Sequence, residues 1–388
     1  MNVLFISHSS VVDVYQDKLR YLGRRPDVNL SVLLPSVYRE GTRLVEAWEG
    51  SGEYKVIKRP TLAGRYGRQN MYLFMGLPGV IAMAQPDIIH IEEEPSSLVT
   101  RQIIRCARRQ APQARIVLFT WQNLVYDYST FSPFKPQRYI QPRVERFVLK
   151  KLDFLIGGNQ EALEIFSEKG CAAPQALIPQ YGVDPRRFGR RPANPALKAK
   201  HNLRGKVIGY VGRMLKMKGI DTLLRALQTI DDRDDWTMLF LGSGPDKESF
   251  QALAEKLGIA ARIRWVQSVP AADVVQYFNA IDMLVLPSLT TDVWKEQFGR
   301  VLIEAMMCGV PAIGSNSGEI PNVIGEGGLI FHEGDADQLA GRVTELLDDE
   351  QKRLALGEAG VKRVEQHYTN EVIADKIYDV YRRVVNTA

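Results

Sequence analysis

Two glutamates eight residues apart, Glu296 and Glu304, flank the start of the stretch FGRVLIEAMMCG, and two cations five apart, Arg213 and Lys218, follow the apolar run KVIGYV. An Arg and a Lys at a strand-to-helix turn suit a diphosphate, the guanidinium as a fork and the ammonium as a point charge. Two carboxylates can each grip a diol. With residues 298–307 helical, Glu304 falls inside the helix and Glu296 in the loop before it. The backbone N–H groups of Phe298, Gly299 and Arg300 then become helix-start donors for sugar hydroxyls or phosphate oxygens. Spacing alone fits a solvated pair on an ordinary helix equally well. A glycosidase acid/base pair fits worse: eight helical residues separate the carboxyls by roughly 12 Å, against the about 5–9.5 Å such pairs use.

The elements that hold these residues read as alternating strands and helices. MLVLP, ending at Pro287, reads as a buried strand, and Gly309 and Pro311 stop the helix after it. PAIGS is a further short strand, with the glycine-bearing loop SNSGEIP behind it. KVIGYV leads into a Gly-x-x-Gly turn and a helix capped near Asp221. WTMLFLGSGPDK gives a strand and a loop that is not GxGxxG, so no dinucleotide fingerprint is present. In the N-terminal half VLFIS, LSVLLP, YKVI, DIIHI, RIVLFT, FLIGG and ALIPQYG alternate with amphipathic stretches. Such alternation predicts an α/β fold of doubly wound, Rossmann-like sheets with ligands at the carboxyl ends of the strands. Residues 71–84 read as a core helix pair, and 336–387 as two or three amphipathic helices.

Three N-terminal strand ends carry polar residues of interest. The first is His8, Ser9 and Ser10, where the hydroxyls can donate hydrogen bonds and a loop-structural histidine is the plainer reading. The second is Glu92, Glu93 and Glu94: three consecutive carboxylates repel one another and ask for a partner, either a cationic or hydroxyl-rich acceptor or solvent. The third is Gln122 and Asn123, whose amides hydrogen-bond hydroxyls without exchanging protons near neutral pH.

At 388 residues the chain suffices for two domains with cores of their own. Its Pro-rich, basic segment 186–205 reads as the linker between residues 1–185 and 206–369. Three scattered cysteines and five dispersed histidines give neither a disulfide frame nor metal-ligand spacing and suit a reducing compartment. Asp232 and Asp234, a D-x-D pair that elsewhere holds metal, sit in a polar turn. The chain opens directly into a strand, and its longest apolar stretch is too short to span a bilayer, so a cytoplasmic protein is expected. Residues 1–185 hold 23 Lys/Arg against 18 Asp/Glu, a net +5, and the remainder is balanced. The excess clusters at Arg101, Arg105, Arg108, Arg109 and at Arg138, Arg143, Arg146, Lys150, Lys151. Those helices suit peripheral contact with an anionic membrane or acceptor, or a solvated face. No nucleic-acid recognition motif accompanies the charge.

EQFGRVLIEAMMCGVPAIGSNSGEIPNVI resembles the E-x7-E signature of the retaining, nucleotide-sugar-dependent glycosyltransferases of family four. The resemblance implies the GT-B fold, two Rossmann-like domains facing across a cleft, with the last helix (370–388) crossing back to the first domain. It implies metal-independent hexosyl transfer with retention, from a UDP- or GDP-hexose co-substrate, without a cofactor, to a hydroxyl acceptor on a lipid, polysaccharide or small molecule. Arg213 and Lys218 then neutralise the donor diphosphate, Glu304 holds the ribose, and Glu296 with Phe298 and Gly299 holds the hexose. Gly212 and Arg300 join the donor site, and Val266, Gln267 and Val269 hold the base. The first domain would supply His8, Ser9, Ser10, Glu94, Gln122 and Asn123 to the acceptor side. Similar enzymes have a glycine-rich loop at residues 8–10 and often a histidine at 122, and this chain departs from both. Two other readings use the same residues: a GT-B sugar-nucleotide epimerase and a non-catalytic nucleotide-sugar-binding protein.

Overall fold

The structure is a computed structural model in which residues 1–40, 43–50, 52–67, 70–125 and 137–386 are described. The chain divides into two compact units, Met1–Gly182 with Asn370–Ala388, and Val183–Thr369.

The first unit is built on seven parallel strands. They are β1 (Asn2–Ser7), β2 (Asn29–Pro35), β3 (Lys55–Arg59), β4 (Ile88–Glu92), β5 (Arg115–Thr120), β6 (Phe154–Gly157) and β7 (Gln175–Leu177), in the spatial order β7-β6-β5-β4-β1-β2-β3. Strands β1 and β5 are apolar along most of their length, and β1, β4 and β5 are buried on both faces, as a parallel sheet covered by helices requires. Helix Leu98–Gln110 starts where the Ser97 hydroxyl accepts from the Thr100 N–H, and Gln160–Glu168 starts at Asn159 in the same way. Residues 71–84 form a short strand, Leu73–Phe74, and one helix, Leu77–Ala84, rather than two helices. Gly76, in a left-handed conformation (φ 70°), makes the break between them.

The second unit has six parallel strands, β8 (Lys206–Val211), β9 (Trp236–Leu241), β10 (Ile263–Val266), β11 (Met283–Leu286), β12 (Ala312–Ser315) and β13 (Gly328–Phe331), ordered β10-β9-β8-β11-β12-β13. Gly209 lies inside β8 instead of in a turn: a Cβ there would come within 2.4 Å of Ile281. The segment 186–205 belongs to this unit and carries its own short helix, Pro195–Lys200, capped by Asn194.

Both sheets reverse direction at the same place. Two strands run outward from the first-made strand, and the fourth returns to its other side, β4 beside β1 and β11 beside β8. That reversal opens a crevice beyond the carboxyl ends of the two neighbours, the usual ligand position in open α/β sheets.

The C-terminal region forms three helices, Ala336–Asp348, Glu350–His367 and Asn370–Asn386. The last belongs to the first unit, with Ile373, Ile377, Val380, Tyr381 and Val384 in that unit's core. The Tyr381 hydroxyl lies 2.8 Å from Nδ1 of the buried His90 on β4. Residues 387–388, the end of the expected helix, lie outside the described residues.

Candidate functional site

At the second unit's reversal, β8 runs into Gly212 and Arg213, then a 3-10 turn, Lys216–Lys218, and then helix Ile220–Gln228. The helix begins at Gly219, which is left-handed (φ 66°), and a Cβ there would sit 1.8 Å from the Pro287 carbonyl oxygen. Only glycine lets this turn lie against the end of β11. The close approach presses Lys218 against the loop that follows β11. Its Nζ donates to Glu296 Oε2 at 2.6 Å and lies 4.6 Å from the centre of the Trp294 ring. The buried Ser288 hydroxyl donates to the same carboxylate oxygen at 2.8 Å. A residue from each side of the reversal, 78 positions apart, thus meets in one charge-assisted bond.

Arg213 lies on the same strand-to-helix turn as Lys218. Its carbonyl oxygen accepts from the buried Tyr210 hydroxyl at 2.7 Å, which fixes the backbone, while its side chain is exposed. Among the described residues no hydrogen bond or ion pair of the Arg213 guanidinium is found. The neighbouring strand end closes tightly on the same turn. A Cβ on Gly242 would lie 1.9 Å from the Gly212 carbonyl, and one on Gly244 would lie 2.1 Å from that of Met214.

The helix carrying Glu304 runs Arg300–Met307, two residues later than spacing suggested. Gly299 caps it in a left-handed conformation (φ 78°), and Phe298 packs inward, its ring 5.7 Å from Tyr368. Glu304 pairs with Arg300 one turn back at 3.0 Å. Burial raises the Glu304 carboxyl above the ordinary range, and Arg300 and Arg187 draw it back only in part. Glu296 and Glu304 therefore have separate environments, one bound to a lysine and a serine, the other paired with Arg300. Val266 ends β10 with its carbonyl accepting from Gly242 N–H, Gln267 is exposed, and Val269 is half-buried.

The first unit's reversal is built differently. Each of its three consecutive carboxylates is satisfied within the protein. Glu92 is ion-paired with the buried Lys18 and accepts from Gln180 at 2.9 Å. Glu93 accepts from the His8 backbone N–H (2.8 Å) and the Tyr72 hydroxyl (2.5 Å), and its other oxygen lies 2.7 Å from His8 Nδ1. Glu94 accepts from the Thr120 hydroxyl at 2.7 Å, and burial pushes its carboxyl up. The expectation that this run seeks an outside partner or solvent is corrected here: its partners are side chains and backbone of the same unit, from the helix Asp17–Gly23, the segment before Leu73 and the ends of other strands. Burial lowers the His8 imidazole, but Glu93 outweighs it, so the net displacement is upward.

Ser9 Oγ lies 2.9 Å from Ser7 Oγ and accepts from Gln180, while Ser10 is buried and its Oγ has no hydrogen-bond partner among the described residues. Gln122 is buried, its amide nitrogen donating to the Leu124 carbonyl and its Oε1 without such a partner. Asn123 is buried beside it. The sequence reading missed Ser288, Trp294, Arg187, Lys18, Tyr38, Tyr72 and Gln180. Of these, only Ser288 had a local signal, its place after the strand MLVLP.

Asp232 and Asp234 lie between helix Ile220–Gln228 and β9, where the intervening Arg233 pairs with Asp235 and Asp348. No three His, Cys, Asp or Glu side chains converge as metal ligands among the described residues. No helix of the described residues is long and apolar enough to cross a membrane.

Comparison with known proteins agrees with the second unit's architecture. Residues 194–363 match the family described as glycosyl transferases group 1, a match to less than half of the chain. A D-inositol 3-phosphate glycosyltransferase of Corynebacterium aurimucosum is 30% identical over 188 residues, 46% of this chain and 43% of that one. A GDP-mannose-dependent monoacylated alpha-(1-6)-phosphatidylinositol monomannoside mannosyltransferase of Corynebacterium glutamicum is 31% identical over 59% of this chain and 62% of its own. The chain thus spans about half the length of the curated relatives it matches. Among solved structures, sucrose-phosphate synthase of Thermosynechococcus elongatus superposes with a TM-score of 0.72 at 21% identity, covering 100% of this chain and 99% of that one. The whole chain therefore has the GT-B fold, with the glycosyl transferases group 1 match lying inside residues 194–363.

Proposed function

We propose that the protein transfers a hexosyl group, with retention and without a metal ion, from a UDP- or GDP-hexose to a hydroxyl acceptor. The observation that carries this reading is the second unit's reversal: an exposed Arg213, with no guanidinium hydrogen bond or ion pair found among the described residues, on the same turn as a Lys218 held by Glu296, whose carboxylate Ser288 also binds. A diphosphate arriving there meets the Arg213 fork at once. It competes with Glu296 for the Lys218 ammonium, so the carboxylate is released for the hexose hydroxyls.

As the bond from the sugar to the diphosphate breaks, charge grows on the leaving oxygens, and these two cations stabilise it in the transition state. Glu304 holds the ribose hydroxyls, and the Val266–Val269 loop holds the base. The acceptor hydroxyl attacks on the leaving-group face, and its proton passes to the departing diphosphate. Residues 1–185 form the acceptor side, and residues 206–369 form the donor side. The relatives named above, one of them GDP-mannose-dependent by its description, agree with a nucleotide-activated hexose.

Thermal shifts with UDP-, GDP-, ADP- and dTDP-sugars, with and without EDTA, test this. A ligand at a hundred times its Kd stabilises by about 2.7 kcal/mol. Stabilisation by one nucleotide class, unchanged by EDTA, is expected, together with release of that nucleoside diphosphate on adding acceptor. Product nucleotide sugar altered without acceptor would instead favour the epimerase.

A further inference from the structure

We propose that His8 orients the hydroxyl of an incoming sugar or polyol acceptor, its Nε2 taking that hydroxyl's hydrogen bond at the carboxyl ends of β1 and β4. The inference rests on the glycosyl-transfer reading. It starts from the grip on residue 8. One carboxylate, Glu93, accepts from the His8 backbone N–H through Oε1 and faces Nδ1 at 2.7 Å through Oε2. The buried Tyr72 hydroxyl fixes the same carboxylate, and the ring packs against Tyr38 with centroids 4.8 Å apart.

A histidine held this way carries its proton on Nδ1 and presents Nε2 outward as a hydrogen-bond acceptor. The His8 side chain is 16% exposed, whereas that of Glu93 is 1% exposed. Among the described residues no hydrogen bond to Nε2 is found. The strand end beyond β4 offers a second vacant acceptor, the buried Gln122 Oε1. Two acceptor atoms without donors among the described residues, at the ends of β1 and β5 on either side of β4, fit a ligand that brings hydroxyl protons.

The surrounding charge separates hydroxyls from anions. The groups around His8 are Glu92, Glu93 and Glu94 from the β4 end, with Tyr38 and Tyr72, and Lys18 is paired with Glu92. Three carboxylates against one lysine and one histidine repel a phosphate and accept a neutral polyol. Neutral His8 accepts that hydroxyl's hydrogen bond before reaction and leaves the oxygen's lone pairs free for attack, and the proton turns to the departing diphosphate as the new bond forms. Protonated His8 donates to that oxygen and engages one of them. Binding then tolerates either state, while the rate of transfer needs the neutral one.

The test uses the full chain, the nucleotide sugar that gives the thermal shift, and methyl α-D-glucopyranoside and glycerol as acceptor probes, from pH 5.5 to 8.5. In the wild type, kcat for glycosylation rises with pH through a single ionisation above the ordinary histidine value, while KM for the probe stays flat. His8→Phe lowers kcat by roughly tenfold and removes the pH dependence, with the donor thermal shift unchanged. His8→Gln, whose amide accepts a hydrogen bond without titrating, recovers part of the rate but none of the pH dependence. Glu93→Gln moves the ionisation to lower pH. A wild-type pH profile in both His8 variants overturns the inference. So does a donor shift accompanied by glycosylation of neither probe. Absence of any donor shift removes the glycosyl-transfer reading itself and this subsite with it.

Discussion

The two units share a strand order and differ in what stands at the reversal. In the first, carboxylates from β4 are tied to Lys18, His8, Tyr72 and Thr120, and little of the polar chemistry reaches solvent. In the second, the edge is cationic, with Arg213 exposed and Lys218 held by a single carboxylate. One topology thus yields an acidic edge whose carboxylates are satisfied internally and a basic, open one. The strand order sets where each edge lies, and the residues at the ends of β4 and β8 set its charge.

Breaking the buried pair in the first unit produces the largest effect. Lys18→Met leaves Glu92 buried without its cation, and denaturant unfolding is expected to show a loss of about 3–5 kcal/mol. A loss under 1 kcal/mol would mean the edge is less closed than its geometry indicates. In the second unit, Lys218→Ala is expected to lower kcat by about 10²–10³ with thermal stability near wild type. A wild-type rate would remove the lysine from the reaction. Gly219→Ala adds a methyl group against the Pro287 carbonyl in a left-handed residue. It should cost more than about 1 kcal/mol and reduce activity with it, because the same turn carries Lys218.

A pH series sharpens the contrast. The folded-state pKa of His8 is raised above 6.5. Its contribution to stability is therefore full below the unfolded value and fades as pH rises through the folded one. Glu93→Gln should flatten that part of the stability profile, and an unchanged profile would count against the His8–Glu93 pair. Smallest of all, Arg233→Ala at the surface should change stability by about 0–1 kcal/mol and leave turnover in EDTA unaffected, as a solvated turn demands.

The strands were legible because they are buried on both faces and read as near-continuous apolar runs. The helix bearing Glu304 was legible to within two residues. Its true start depends on Gly299 taking a left-handed conformation, which a glycine permits without announcing. Two other features depend on residues far apart in the chain. Glu93 meets His8 across 85 positions and Lys218 meets Glu296 across 78. Neither pairing follows from local periodicity, since each needs the strand order first. The three glutamates show the cost of reading locally. Taken alone they look like a run awaiting a partner, whereas distant parts of the same unit supply a different partner to each.

The direct test of the central claim compares UDP with uridine, and GDP with guanosine, by titration calorimetry in EDTA, on wild type and Arg213→Ala. If the second unit's edge is a diphosphate site, wild type prefers the diphosphate of one pair strongly, and Arg213→Ala loses most of that preference while keeping its affinity for the nucleoside. Equal preference in both proteins would contradict the account.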